Sequence, residues 1–138
     1  MKKLLVDTNV VIDLLAKREP YYQDSARLFS MADKKLIKLS VLSLTFANTN
    51  YALLRSNSAN ESKSILRRLK LIVDVLPLDD KIIGLALNDL GFKDFEDGLQ
   101  YFSAIENKQD IIITRNLKDF KKSLIPVMSA EQFLKTIE

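Results

Sequence analysis

The chain has 138 residues, of which 47% are hydrophobic, and a formal net charge of +3, so we expect a single domain, 1–138, that can bury an ordinary hydrophobic core. It contains neither cysteine nor histidine, which excludes disulfides, thiolate or imidazole metal sites and Ser-His-Asp triads. Any metal site must therefore use oxygen ligands, which favours Mg²⁺ or Mn²⁺.

Membrane insertion and secretion are not expected from the sequence. No apolar run approaches the roughly 20 residues that span a bilayer. The start, "MKKLLVDTN", has the basic beginning of a secretory signal, but Asp7 interrupts its apolar stretch and no small-residue cleavage site follows. The lack of cysteine fits a reducing compartment, so we expect a cytoplasmic protein. The mild positive charge permits a polyanionic partner without requiring one.

Strands and helices alternate in the first half of the chain. The periodicity of the apolar residues and the capping signals predict a strand at 3–7, helices at 9–17 and from Pro20 to about Ala32, a strand at 36–43, a helix at 43–56 capped by Ser43, and a helix at 60–72 preceded by the S-x-x-E box of Ser58 and Glu61.

The same alternation continues to the end of the chain. We predict a strand at 73–78, a helix at 79–90 ended by Gly91, a helix at 94–107, strands at 110–114 and 125–129, and a terminal helix capped by Ser129 and Gln132. This order indicates an α/β fold, a parallel sheet with helices on both faces. Ligands of such sheets bind beyond the carboxyl ends of the strands.

Acidic residues are concentrated where predicted strands end and one helix begins. They are Asp7 after the first strand, Asp94, Glu96 and Asp97 in the first turn of the helix at 94–107, and Asp119 after the "TRN" turn at 114–116. If the first and fourth strands are neighbours, these carboxylates converge and repel, at about 4 kcal/mol per pair at 4 Å with an effective dielectric near 20. A divalent cation would neutralise them and could activate water for phosphodiester hydrolysis.

Each acidic residue also has a structural interpretation. Asp94 suits a helix N-cap, and Asp97 would complement the helix dipole. Glu96 is most simply a solvated charge of the first helical turn, and Asn116 with Asp119 could form a turn or cap. Asp7, directly after an apolar strand, has few structural duties, so its position argues most strongly for chemistry.

The chain resembles the PIN-domain ribonucleases, particularly the VapC-like toxins of bacterial toxin–antitoxin pairs. The matching residues are "LLVDTNVVIDLL", "DFEDGLQYFSAIENKQDIIITRNLKDF" and the order of strands and helices between them. The resemblance covers essentially the whole chain. It implies a three-layer α/β/α sandwich with a short, mainly parallel sheet, Mg²⁺- or Mn²⁺-dependent cleavage of RNA, a homodimer and an antitoxin partner.

The resemblance also implies which residues form the site. The implied catalytic residues are Asp7, Asp97, Asn116 and Asp119, with Asp7 and Asp97 as the metal ligands. The implied neighbours are Thr8, Asn9, Asn48, Asp94 and Thr114.

One acidic position of the family is missing from this chain. The resemblance implies a glutamate early in the helix after the second strand, but the position falls on Asn48, and Lys34 to Asn60 contains no acidic residue. An amide offers an oxygen ligand without charge. We therefore expect weaker metal binding than in a four-carboxylate site, with Asp94 or Asp119 compensating. The alternative function is a degenerate PIN domain that binds RNA or a protein without cleavage.

The helix at 43–56 is apolar on two sides. Phe46 and Leu53 lie nearly opposite a stripe of apolar residues that includes Leu44 and Tyr51. A helix of this kind needs two burial surfaces, so it is either deeply buried or forms a dimer or antitoxin surface.

Two basic groups could contact partners. One is a basic stretch close to that helix, which is either solvated charge or a contact for an acidic partner or for RNA phosphates, and it consists of Arg55, Lys63, Arg67, Arg68 and Lys70. The residues Lys17, Arg18 and Arg115 are expected to flank the acidic pocket and to bind phosphates of the RNA.

Overall fold

The structure, a computed structural model, describes all 138 residues. The strands are β1 (Lys3–Val6), β2 (Lys38–Leu42), β3 (Asp74–Leu76), β4 (Ile111–Ile113) and β5 (Val127–Met128). The helices are α1 (Thr8–Leu15), α2 (Tyr22–Asp33), α3 (Ser43–Leu53), α4 (Ala59–Lys70), α5 (Asp80–Asn88), α6 (Phe95–Glu106) and α7 (Ala130–Thr136), with a 3₁₀ helix at Leu117–Phe120. This is the predicted order of elements.

All five strands are parallel, in the order β3-β2-β1-β4-β5. The first and fourth strands are therefore neighbours, as the convergence of the carboxylates requires. Val6 pairs with Ile113 at the carboxyl ends of β1 and β4. The next residue of each strand, Asp7 and Thr114, consequently lies at the same edge of the sheet.

Alternate residues of the central strands enter different cores. Leu4 and Val6 of β1 pack with residues of α1, α2, α4 and α7. Leu5 packs on the other face with residues of α5 and α6. The side chains of Leu4, Leu5 and Val6 are fully buried, and each stabilises the fold by about 1.5–3 kcal/mol. The sheet thus lies between two helical layers, which confirms the three-layer α/β/α sandwich.

Two helix starts follow their predicted capping boxes. The Ser58 hydroxyl accepts a hydrogen bond from the Glu61 amide at 3.1 Å, and the Glu61 carboxylate accepts one from the Ser58 amide at 2.8 Å. Ser129 and Gln132 form the equivalent pair before α7. Each box satisfies two backbone donors that the helix itself leaves unpaired.

Two predicted helix ends are wrong. Ser43 is the first residue of α3, and the N-cap is Leu42. Gly91 does not end α5, which stops at Asn88. The Asp89 carboxylate instead accepts hydrogen bonds from the amides of Gly91 and Phe92 at 2.8 and 3.0 Å. This side chain stabilises a turn in place of a further helical turn.

Helix α3 presents a different face to solvent from the one predicted. Phe46 and Leu53 were candidates for a partner surface, but Leu53 is 1% exposed and Phe46 is half-buried against the core. The reason is that α3 packs against α1 and α4 with its Thr45, Thr49 and Leu53 side chains buried. The exposed apolar side chains are Tyr51 and Leu54, at 74% and 44%.

The helices are short. The longest have 12 residues, and none has the length and hydropathy that a membrane-spanning helix needs.

Candidate active site

Asp7 is held rigidly at the carboxyl end of β1. Its side chain is 7% exposed and caps α1 by accepting a hydrogen bond from the Thr8 amide at 2.7 Å. The other carboxylate oxygen accepts hydrogen bonds from the Thr114 hydroxyl at 2.8 Å and from the Asn9 side-chain amide at 3.3 Å. Asp7 is therefore the N-cap of α1, a structural role that its position after an apolar strand did not predict, and its carboxylate has a fixed orientation.

Burial raises the pKa of Asp7 above its ordinary value. The hydrogen bonds from Thr114 and Thr8 oppose this increase, while the negative charges of Glu96 and Asp94 add to it. A charged carboxylate in this position lacks a positive partner. It is therefore suited to a cation supplied from solution.

The start of α6 brings further carboxylates to the same place. Asp94 is the N-cap, accepting hydrogen bonds from the amides of Glu96 at 2.8 Å and Asp97 at 3.3 Å. Asp97 follows in the first turn and is half-buried. Burial raises the pKa of the Asp97 carboxyl to about 7, with added repulsion from Asp94, Asp7, Asp119 and Glu96. Asp97 is thus electrostatically coupled to acids from both β1 and the segment after β4.

Thr114 connects the two strand ends. It is completely buried, and its hydroxyl donates to Asp7 while accepting a hydrogen bond from the Asn116 amide at 3.1 Å. The Asp119 amide donates to the Asn116 carbonyl at 3.0 Å, so these two residues do form a turn through their backbones. Asn116 and Asp119 are both exposed, so their side chains remain accessible to a ligand.

Asn48 lies beside the acidic residues, and its neighbour is unexpected. The Asn48 side-chain amide donates a hydrogen bond to the Glu96 carboxylate at 3.3 Å. Glu96, interpreted above as a solvated charge, also raises the pKa of both Asp7 and Asp97. Glu96 was among the acids expected to converge, but it was not assigned to the site. The signal for such an assignment was an additional acid next to Asp97 in a chain that lacks one in α3.

The donor set is compatible with a hard divalent cation. All candidate ligands are oxygen atoms, and both Asp7 and Asp97 are carboxyls whose ionisation is opposed by burial and like charge. No three acidic side chains lie close enough together to enclose a metal. Mg²⁺ does not require such a cage, because it commonly keeps several waters and binds one or two carboxylates together with substrate phosphates. Asp7 and Asp97 fit this mode of binding.

The predicted phosphate-binding residues do not surround this site. The Arg115 guanidinium forms two hydrogen bonds with the buried Asp13 carboxylate, at 2.7 and 3.2 Å, and lies 4.1 Å from the centre of the Tyr21 ring. Arg115 thereby compensates a buried charge. Lys17 and Arg18 follow the far end of α1, about 12 Å along its axis from Asp7, so they do not flank the acidic residues.

Comparisons with known proteins agree with this architecture. A family model described as PIN domain matches residues 3–118. The chain is similar to Ribonuclease VapC1 of Aquifex aeolicus, with 27% identity over 136 residues, which is 96% of this chain and 93% of that protein.

Solved structures share the fold at low sequence identity. The DNA-bound VapBC of Salmonella typhimurium is 18% identical to this chain and has a TM-score of 0.71. The match covers 94% of this chain and 99% of the Salmonella chain. VapC20 of Mycobacterium tuberculosis, described as a sarcin-ricin loop cleaving toxin, is 14% identical to this chain and has a TM-score of 0.62. The match covers 79% of this chain and 86% of the VapC20 chain.

Proposed function

The chain belongs to the PIN domain family, and on this basis we propose that it is a metal-dependent endoribonuclease, the toxin of a toxin–antitoxin pair. The observation that carries the proposal is the buried carboxylate of Asp7, oriented by three hydrogen bonds and coupled to Asp97. The similarity to a protein named ribonuclease and to a toxin described as cleaving the sarcin-ricin loop supports RNA as the substrate.

Asp7 and Asp97 would hold Mg²⁺ or Mn²⁺. The bound ion supplies an activated water and neutralises charge on the phosphate. The protein's own contribution is orientation. Thr114 and Asn9 fix the Asp7 carboxylate, and Thr8, whose hydroxyl lies 3.0 Å from that of Thr45, joins the start of α1 to α3. The exposed Asn116 and Asp119 would complete the ligand sphere or orient the scissile phosphate.

The decisive experiment is cleavage of a mixed RNA pool by the purified chain in Mg²⁺, in Mn²⁺ and in EDTA. We expect cleavage in both metals and none in the chelator. RNA that stays intact in both metals contradicts the enzyme proposal.

Asn48 favours a second candidate function, an RNA-binding PIN domain without nuclease activity, because it removes a carboxylate from the family's site. Under this alternative the chain binds RNA, but addition of Mg²⁺ or Mn²⁺ produces no new RNA ends.

The Asn48→Glu variant tests whether the missing charge limits metal binding. We expect the Kd for Mn²⁺ to fall by roughly tenfold, or about 1.4 kcal/mol, with faster cleavage, because a charged ligand joins the site. Without metal the new carboxylate faces Glu96 and should lower the Tm. Calorimetry and thermal melts measure both effects. Asn48→Gln is the matched neutral control, and equal Mn²⁺ affinity in the two variants would contradict the prediction.

The activity is expected to depend on pH through Asp97. With a pKa of about 7, roughly 10% of Asp97 is charged at pH 6 and roughly 90% at pH 8. Only the charged form is a good ligand, so the cleavage rate at low Mg²⁺ should rise through neutral pH and then level off. Higher Mg²⁺ should move the midpoint to lower pH, because the cation favours the charged form. Initial rates measured from pH 5.5 to 8.5 at two Mg²⁺ concentrations check this prediction. A midpoint of the pH–rate curve that is the same at both Mg²⁺ concentrations would contradict it.

The proposed protein partners are a second copy of the chain and an antitoxin. Several similar structures are toxin–antitoxin complexes. The partner surface proposed here consists of the exposed Tyr51 of α3 and Leu54, the C-cap of that helix, together with the exposed basic residues Arg55, Arg67 and Arg68.

A further inference from the structure

A charged cavity of about 440 Å³ opens beside Asp97, and it contains no hydrophobic residue. It is lined by four lysines, three acids and one glycine, which are Lys93, Lys118, Lys121, Lys122, Asp94, Asp97, Asp119 and Gly91. None of these lysines was singled out in the sequence, where they are scattered among many surface lysines. The fold collects them at the mouth of the candidate active site.

The four lysines are exposed and form no ion pair. The ion pairs of the protein, within 4.0 Å, involve Arg27, Lys38, Lys81, Arg115 and Lys135. The cavity lysines therefore lie near Asp94, Asp97 and Asp119 without being bound to them. Their ammonium groups remain free for an anionic ligand, while the carboxylates remain free for a cation.

An aromatic cluster brings the two lysine-bearing segments together. Phe120, between Lys118 and Lys121, is 2% exposed, and its ring lies 5.9 Å from that of Phe92, next to Lys93. Phe92 also stacks on Tyr101 of α6 at 4.7 Å. The cavity walls are thereby anchored to the same core that carries Asp97.

Gly91 and Lys122 bring the same two segments together. A Cβ atom built at Gly91 would lie 3.5 Å from Cγ of Lys122, an ordinary van der Waals distance. The aliphatic part of Lys122, after the 3₁₀ helix, therefore lies next to Gly91 across the cavity.

We infer that Lys93, Lys118, Lys121 and Lys122 form the binding tract for the phosphate backbone of single-stranded RNA, leading the strand to Asp97. The inference rests on the proposed function. Lysine is a suitable point charge for phosphates. Phosphate also suits both kinds of charge in the cavity, because it pairs directly with the lysines and, through a divalent ion, with the carboxylates. Among polyanions, RNA is the one that the proposed function brings to Asp97, so we assign the tract to RNA.

The test is the salt dependence of RNA binding. A fluorescent 12-nucleotide oligouridine is titrated by anisotropy at constant Mg²⁺ over 25–200 mM NaCl, in an Asp7→Asn background that prevents cleavage. The paired variants are Lys121→Gln/Lys122→Gln and Lys93→Gln/Lys118→Gln. The control, Lys63→Gln/Lys70→Gln, removes two exposed charges from α4, away from the cavity.

Each cavity pair should lower the slope of log Kd against log salt by about 1.4, since a single-strand phosphate contact contributes about 0.7. The Kd at low salt should rise by about tenfold or more, and the α4 pair should change neither quantity. Equal effects of the cavity and α4 pairs would show non-specific attraction and overturn the inference.

The inference and the proposed function can fail separately. If the cavity variants bind RNA more weakly but the wild-type chain never cuts RNA, the binding tract is supported and the nuclease proposal is contradicted. If the wild-type chain cuts RNA in a metal-dependent way but substitution of the four lysines leaves its RNA affinity unchanged, the nuclease is supported and the tract is contradicted.

Discussion

The Asp7→Asn variant is expected to lose RNA cleavage by about 10³-fold while becoming more stable than the wild-type chain at neutral pH. The loss follows because Asp7 is one of two carboxylates proposed to bind the metal, and losses of this size accompany removal of a main electrostatic group from an active site. The fold should survive. Asparagine is as good an N-cap as aspartate and can still accept the hydrogen bond from the Thr8 amide.

The gain in stability follows from the raised pKa of Asp7. Its folded-state pKa lies above the ordinary value of 3.8. Between these two pKa values the folded state binds more protons than the unfolded state, so the free energy of unfolding falls as the pH rises through this range. Below 3.8 the carboxyl is neutral in both states and the penalty is absent. The neutral amide removes this penalty, so the advantage of Asp7→Asn should appear above that range and vanish in acid.

Thermal melts in EDTA between pH 3.5 and 8, together with RNA cleavage assays, measure the two effects. Asp13→Asn is the matched control, because Asp13 is also buried but is paired with Arg115. Removing that charge leaves the guanidinium without its partner. We expect Asp13→Asn to lose about 1–3 kcal/mol, less than a fully buried pair because Arg115 is partly exposed. Destabilisation of both variants at pH 7 would contradict the assignment of Asp7 as an unpaired carboxylate.

The Asp97→Asn variant is expected to lose the stabilisation that Mn²⁺ gives the wild-type chain. A ligand present at 100 times its Kd adds about 2.7 kcal/mol to the free energy of unfolding. For a chain of this length that is a Tm increase of roughly 8–10 °C. Asp97→Asn removes one of the two proposed ligands, so its Tm should barely respond to Mn²⁺. This measurement requires no RNA and no turnover.

Asp94→Asn is the matched control for Asp97. It removes one negative charge from the same cavity, and asparagine can continue to accept the capping hydrogen bonds from the amides of Glu96 and Asp97. Asp94 was one of two residues expected to compensate for Asn48, but its carboxylate caps α6, so we expect this variant to keep most of the Mn²⁺-induced increase in Tm. If both variants lose it equally, the cation responds to the total charge of the cavity and Asp97 has no particular role.

Local features of the sequence determined most of the elements and much of the site. Apolar runs ended by Asp7 and Thr114 predicted two buried strands with polar groups at their carboxyl ends, and the Ser58 and Ser129 boxes predicted two helix starts. These signals work because a capping bond or a strand period involves residues only a few positions apart. The family resemblance added the three-layer arrangement and the pairing of Asp7 with Asp97.

Only the tertiary structure decided which face of α3 is buried, that Asn48 contacts Glu96, that Arg115 is paired with Asp13, and that four lysines meet beside Asp97. Arg115 and Asp13 are 102 positions apart, and Asn48 and Glu96 are 48 apart. Such contacts depend on how helices pack on the sheet, and the helical period alone does not choose between two apolar faces. The sequence therefore predicted Asp7 as the centre of the candidate site, and packing determined the charges that surround it.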